Sequence, residues 1–366
     1  MNKIFLDNAG TTKVHELVCD TMSSFFTSSY QVEAYQKLCN DAILHIKEDL
    51  SAYQYELFFT SSGSEANNIA LEFMRQIVEE ERGPKSVLTT PIEHAAILNT
   101  LKSDDFSSFV VEFLEVDSDG RLDVKKIADL KDRQIGFATT MFVNNEIGII
   151  NPIFEMVDIL KSKHVLTHVD AVQALGHLRM NLDELDADFI SFSAHKIHGP
   201  KGIGLLAVHK RHVERANEYF KCRTLNVPYI MGFEKALNLR LSEMGDHQNH
   251  ARRLKEHMID GLQRIHPDIK IIGPQGEGAV ASILNVMLPY FDGDSVVISM
   301  DMQGIAVSSG SACSSGAAQA SHVIRALGYD EIMAKRCFRI STSIFTSIEE
   351  VDRMLEVLKQ MFEPYV

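Results

Sequence analysis

No stretch of this sequence is apolar for long enough to cross a bilayer, and no long basic run interrupts it. The first absence predicts a chain that does not span a membrane. The second, with a formal net charge of -14, argues against a surface for direct nucleic-acid binding. The start, Met1-Asn2-Lys3-Ile4-Phe5-Leu6-Asp7, is too short and too polar for a signal peptide. Cysteine is sparse: Cys19, Cys39, Cys222, Cys313 and Cys337 are scattered, odd in number and form no C-x-x-C pair. That pattern argues against a disulfide framework or a zinc site and for a reducing compartment, so the cytoplasm is the expected location. No internal repeat and no low-complexity tract is present. What remains is an ordinary globular composition, 366 residues with 45% hydrophobic and 23% charged, ample for a large core and two subdomains.

The chemistry concentrates around Ser191-Phe192-Ser193-Ala194-His195-Lys196 and the following Ile197-His198-Gly199-Pro200-Lys201-Gly202-Ile203-Gly204. Asp188-Phe189-Ile190 leads in like a short buried strand, and the Gly/Pro-rich residues lead out like a turn. A lysine at a buried strand end loses hydration, its pKa falls, and the neutral amine can form a Schiff base. Read alone, the signal is weak, and a solvated-loop lysine is the default reading. Upstream, Val165-Leu166-Thr167-His168-Val169-Asp170 reads as another buried strand ending in an aspartate, with Gln173 three residues on. Pyridoxal phosphate, the usual partner of a Schiff-base lysine, needs an acid against its pyridine nitrogen. An aspartate and a lysine on successive strand ends meet that need, although an aspartate there could simply cap a helix.

Leu57-Phe58-Phe59-Thr60 is a strand that runs through Ser61-Ser62-Gly63-Ser64-Glu65-Ala66-Asn67-Asn68 into a helix. A strand, a Gly/Ser turn and a helix N-terminus form an anion site, through free N–H groups and the helix dipole; a plain Ser cap is the other reading. Further strands at Ser86–Thr90, Phe109–Leu114 and Ile135–Thr140 alternate with helix or loop signals, which predicts a mostly parallel α/β sheet. Ligand residues gather at strand ends in such sheets, which singles out Glu93-His94 and Asn144-Asn145-Glu146. The short strand Ile4–Leu6 precedes Asp7-Asn8-Ala9-Gly10-Thr11-Thr12, a small-residue turn that could bring backbone close to a ligand but reads from composition as a plain surface turn, and residues 14 to 50 have a helical pattern. Beyond Gly204 the pattern becomes α+β, with a helix over 246–266, strands at 269–272 and 282–287, and a helix over 295–302. A capping box at Ser347-Ile348-Glu349-Glu350 opens the last helix. Within this part, Val307 to Gly316 is small, polar and loop-like and carries Cys313, a candidate nucleophile, although by residue type alone an incidental free loop cysteine is the default reading.

Assembled, these residues resemble the NifS/IscS-type cysteine desulfurases of the class V aminotransferase family. The resemblance runs over nearly the full length and rests on Val143-Asn144-Asn145-Glu146-Ile147-Gly148, His168 to Gln173, Ser191 to Gly204, Ser308 to Cys313, and Ser321 to Gly328. It implies an aspartate aminotransferase-like fold: a large pyridoxal-phosphate-binding domain (14–245) with a mostly parallel seven-stranded sheet, plus a smaller α+β domain (1–13 and 246–366) carrying the Cys313 loop. By the same resemblance Lys196 carries pyridoxal 5'-phosphate, Asp170 faces its ring nitrogen, Gln173 its ring hydroxyl, and His94 its ring face. Gly63, Ser64, Ser193 and His195 match phosphate-binding positions, and Thr224 a position that reaches the phosphate from a partner subunit, implying a homodimer. Asn145 and Arg339 match residues that hold the substrate carboxylate, a task suited to a guanidinium fork. No metal is implied.

The implied activity converts L-cysteine to L-alanine. Lys196 moves the α-proton and Cys313 accepts the sulfur as a persulfide, for delivery to an acceptor protein in iron–sulfur cluster assembly, tRNA thiolation or another thio-cofactor route. Three stretches depart from the family pattern. Thr27-Ser28-Ser29-Tyr30-Gln31 stands near the place of G-N-P-S-S-x-H. The Gly-rich segment is shortened before Lys221-Cys222-Arg223-Thr224, and Thr342-Ser343-Ile344-Phe345-Thr346 replaces L-G-R-F-T. Two alternatives therefore stay open: a lyase or aminotransferase acting on another amino acid, and a weakly active structural partner.

Overall fold

In the computed structural model, residues 3–26, 32–131, 134–221, 224–309 and 320–365 are described. Twelve strands form three sheets among these residues: β1 Ile4–Phe5, β2 Tyr55–Thr60, β3 Ser86–Thr89, β4 Val110–Phe113, β5 Phe137–Met141, β6 Leu166–Asp170, β7 Phe189–Ser193, β8 Gly204–His209, β9 Lys270–Ile272, β10 Ile283–Met287, β11 Ile305–Ala306 and β12 Cys337–Ser341. The main sheet has seven strands in the order β2-β8-β7-β6-β5-β3-β4, and only β8 pairs antiparallel with its neighbours among the described residues.

A mostly parallel sheet needs helices on both faces, and the central strands are apolar on both for that reason. Along β7 and β8 the side chains alternate. Phe189, Leu206 and Val208 join the helix Gly63–Glu80 through Ala66, Ile69, Phe73, Met74 and Ile77. Ile190, Phe192, Leu205 and Ala207 face the other way, onto the helices Val32–Leu50, Ile153–Ser162 and Val227–Ser242. The expected strand at 109–114 is trimmed to β4, and the helical pattern over 14–50 resolves into Glu16–Phe26 and Val32–Leu50.

A separate apolar core holds the remainder. The antiparallel sheet β12-β10-β9 and the parallel pair β1-β11 pack with the helices Met244–Ile265, Gly293–Met302 and Ile348–Phe362, burying Leu6, Leu254, Met258, Met300, Phe338, Ile340, Met354 and Leu358. The helices expected over 246–266 and 295–302 each begin two residues earlier. The capping box is present: Glu350 N–H donates to Ser347 Oγ, and Ser347 N–H donates to the Glu350 carboxylate.

Candidate active site

The strands β2, β3, β5, β6 and β7 run in one direction, so their C-terminal ends meet at one edge of the sheet. Ligand sites in open α/β sheets form at that edge. A cavity of about 300 Å³ lies there, lined by Gly63, Ser64, His94, Asn145, Asp170, Gln173, Ser193, His195, Lys196 and Arg339, all named from the sequence. Thr224 is not in that lining; it is exposed between the helices Val213–Phe220 and Val227–Ser242. Cys313 lies outside the described residues, as do Thr27 to Gln31, Cys222 and Arg223.

β7 ends at Ser193, and a single 3₁₀ turn, Ala194–Lys196, carries the lysine into the cavity. Lys196 Nζ donates to the carbonyl oxygens of Ala9 and, at 2.9 Å, Gly10. Gln173 donates to the same Ala9 oxygen at 2.8 Å. The His195 ring meets the Thr11 hydroxyl at 3.1 Å, and Thr12 bonds the His195 carbonyl through both its N–H and its hydroxyl. The turn Asp7–Thr12 is therefore part of the site wall and not a plain surface turn. Burial, then the charges of Lys196 and Lys201, pull the His195 pKa down to about 4, so the ring is neutral.

β6 ends at Asp170. Its carboxylate accepts from Asn67 Nδ2 at 2.7 Å and from the Val172 N–H at 3.0 Å. Before it, His168 is buried between the hydroxyls of Thr139 (2.8 Å) and Ser191 (2.9 Å), and burial pushes its pKa down to about 3. His94 caps the helix Ala95–Leu101, its Nδ1 accepting the Ala96 N–H at 3.1 Å. Burial lowers the His94 pKa, against the opposing pull of Asp170. His94, with one ring nitrogen spent on the cap, lines the cavity.

The loop after β5 is a tight turn held by Asn144, whose side-chain oxygen accepts the N–H groups of Glu146 and Ile147. Its amide donates to Ile92 O at 2.9 Å, tying this loop to the one that carries His94. Gly148 closes the turn at φ +76°, where a Cβ would be strained. β12 brings in Arg339, which is 5% exposed; it donates to Asn145 O at 2.8 Å and to Asp7 Oδ1 at 2.6 Å. Ser308, the last residue but one before the undescribed 310–319, is bridged to Arg339 and lines the cavity.

The wall also fits a phosphorylated pyridine cofactor. The helix Gly63–Glu80 points its free N–H groups and positive dipole end at the cavity, with Ser62 as its cap. A Cβ on Gly63 would sit 2.7 Å from Val172 Cγ2 and 3.2 Å from Ser193 Cβ, so only glycine leaves this cradle open. The buried oxygens Ser193 Oγ and Asn67 Oδ1 have no partner in the protein. Buried polar atoms are nearly always bonded, so these two mark where an occupant bonds. Asn67, Asp7 and the carbonyls of Ala9 and Gly10 were not singled out from the sequence. The only signals for them were a polar residue one turn into a buried helix and a turn of small residues beside a strand.

The class-V aminotransferase family matches residues 4–354. Among curated relatives, the cysteine desulfurase IscS of Clostridium botulinum is 32% identical over 99% of this chain and 95% of its own length. The mitochondrial cysteine desulfurase of Saccharomyces cerevisiae is 31% identical over 97% of this chain and 74% of its own. A solved NifS-like protein superposes with a TM-score of 0.87 at 29% identity, over 98% of this chain and 99% of that one. The chain belongs to the class V aminotransferase family, among its NifS/IscS-type cysteine desulfurases.

Proposed function

We propose that this protein is a pyridoxal-phosphate-dependent cysteine desulfurase that converts L-cysteine to L-alanine and carries the sulfur on Cys313 for an acceptor protein. The observation that carries the proposal is the convergence of Lys196, Asp170, His94, the Gly63–Ser64 helix end, Asn145 and Arg339 on one cavity. Bound pyridoxal phosphate supplies an electron sink at the substrate α-carbon. Gly63, Ser64, Ser193 and His195 hold its phosphate, Asp170 its ring nitrogen, Gln173 its ring hydroxyl and His94 its ring face. Arg339 and Asn145 orient the substrate carboxylate, and Lys196 Nζ takes and returns the α-proton. The Cys313 thiolate attacks the substrate sulfur; an S–S bond forms, the Cβ–S bond breaks, and the carbon leaves as alanine after gaining a proton. Ser308, five positions before Cys313 in the sequence, lines the cavity, which supports this role for the thiol.

The division into a large unit (14–245) and a smaller one (1–13 with 246–366) is supported by the separate apolar core around Leu254, Phe338 and Met354. A homodimer, with Thr224 reaching the partner's phosphate site, accounts for the exposure of Thr224 in the single chain. Among the described residues no helix is long and apolar enough to cross a membrane, and a cytoplasmic location is proposed. The test is purified protein given L-cysteine and a reductant, assayed for alanine and sulfide beside Cys313→Ala and Lys196→Ala. Equal alanine and sulfide, abolished by either substitution, is expected. Activity surviving Cys313→Ala would replace the desulfurase by a lyase or aminotransferase, and a colourless, inert wild type would leave only a structural partner.

A further inference from the structure

A second, smaller cavity shares Ala9, Gln173 and Lys196 with the first and is otherwise walled by Arg240, His177, His198, His247, Ser282 and Thr342, among others. Its volume is about 20 Å³, room for a single water-sized particle. Among the described residues no aspartate or glutamate forms part of its wall. Arg240, on the helix Val227–Ser242, is 8% exposed. It donates Nη1–H to His247 Nδ1 at 2.5 Å and Nη2–H to His177 Nδ1 at 3.2 Å.

A guanidinium only donates, so both rings must accept at Nδ1 and carry their hydrogen on Nε2. Both are therefore neutral, in keeping with the lowering of their pKa values by burial and by Arg240 itself. Neutral rings do not balance the charge. Glu243, the carboxylate whose field Arg240 feels, bonds His247 Nε2 at 3.1 Å instead and is 54% exposed. Two buried polar atoms of residues that line this cavity, Arg240 Nε and Thr342 Oγ1, have no partner among the described residues. A buried cation whose contacts are all neutral carries a large desolvation penalty unless an anion joins it.

We propose that this cavity binds one small monovalent anion of halide size, chloride being the reference ligand, held by the Arg240 guanidinium and the Thr342 hydroxyl. The volume excludes sulfate, phosphate and carboxylates. The site is built from the chain's own side chains and does not depend on the cofactor reading. The test has two arms on the full-length protein. In crystals grown with bromide, anomalous scattering is expected to show one ion in this cavity within bonding distance of Arg240. In solution, Tm is expected to be higher by about 2 °C or more in chloride than in gluconate at equal ionic strength. That difference should vanish in Arg240→Met and shrink in Thr342→Val. Density for water alone, or equal Tm values for the wild type in the two salts, would overturn the proposal, and neither reading depends on a variant folding.

Discussion

Asn67→Leu tests the electrostatic design of the site at a residue whose role only the packing reveals. Asn67 and Asp170 are 1% and 4% exposed, and the amide donates to the carboxylate at 2.7 Å. A hydrogen bond to a charged group contributes about 1.5–3 kcal/mol. The Asn67 carbonyl oxygen, unpartnered in the protein, carries a desolvation cost of about 1 kcal/mol. Leucine has nearly the same volume and removes both, so the substitution should cost the free protein a net ~0.5–2 kcal/mol. The loss should show as a lower urea midpoint at unchanged slope. With one of its two donors gone, the carboxylate holds a pyridine nitrogen less firmly, and pyridoxal phosphate affinity followed by visible absorbance should fall by about tenfold for each 1.4 kcal/mol lost. Asn67→Asp supplies the signed control. A protonated carboxyl at that position still donates to Asp170, so stability should persist in acid and be lost as pH rises through the raised pKa of the new carboxyl. If Asn67→Leu left both the urea midpoint and the cofactor affinity unchanged, Asp170 would not depend on Asn67 and the reasoning would fail.

Gly63→Ala forces a Cβ to 2.7 Å from Val172 Cγ2, so pyridoxal phosphate affinity should fall by about tenfold or more, and Val172→Ala in the same chain should restore most of it. Tyr55→Phe deletes a buried hydroxyl that donates to Ala187 O at 2.7 Å, and should lower stability by about 1 kcal/mol in urea unfolding with activity unchanged. The pH profile of stability follows from His168, His195 and His198, whose folded pKa values of about 3, 4 and 4 lie below the ordinary 6.5. Their stabilisation is whole above pH 6.5 and falls as pH drops toward 4, by about 1.4 kcal/mol per pH unit for each. Glu93, raised by burial to about 8, works in the opposite sense, its contribution being lost as pH rises through 8. Unfolding midpoints measured across pH should therefore peak near 6.5; stability still rising at pH 8 would contradict the Glu93 assignment.

The sequence by itself determined the fold class and pointed to most of the residues that line the cavity. Strand ends carry Asp170 and Lys196 because hydrophobic runs end there, and period and punctuation are local properties of the chain. The Ser/Gly turn before Ile69 and the capping box at Ser347 were legible for the same reason, since a cap is set within four residues. What only the tertiary structure decided is which distant groups meet. Asp7 pairs with Arg339 because β1 and β12 deliver them to one wall. The Ala9 carbonyl receives Lys196 and Gln173, although the stretch reads as a surface turn. Arg240, His177, His198 and His247 come from segments with no common motif, and only the loss of water around all of them makes that cluster a feature of the protein. Burial and unpartnered polar atoms are collective properties of packing. No residue pattern along a single chain encodes them.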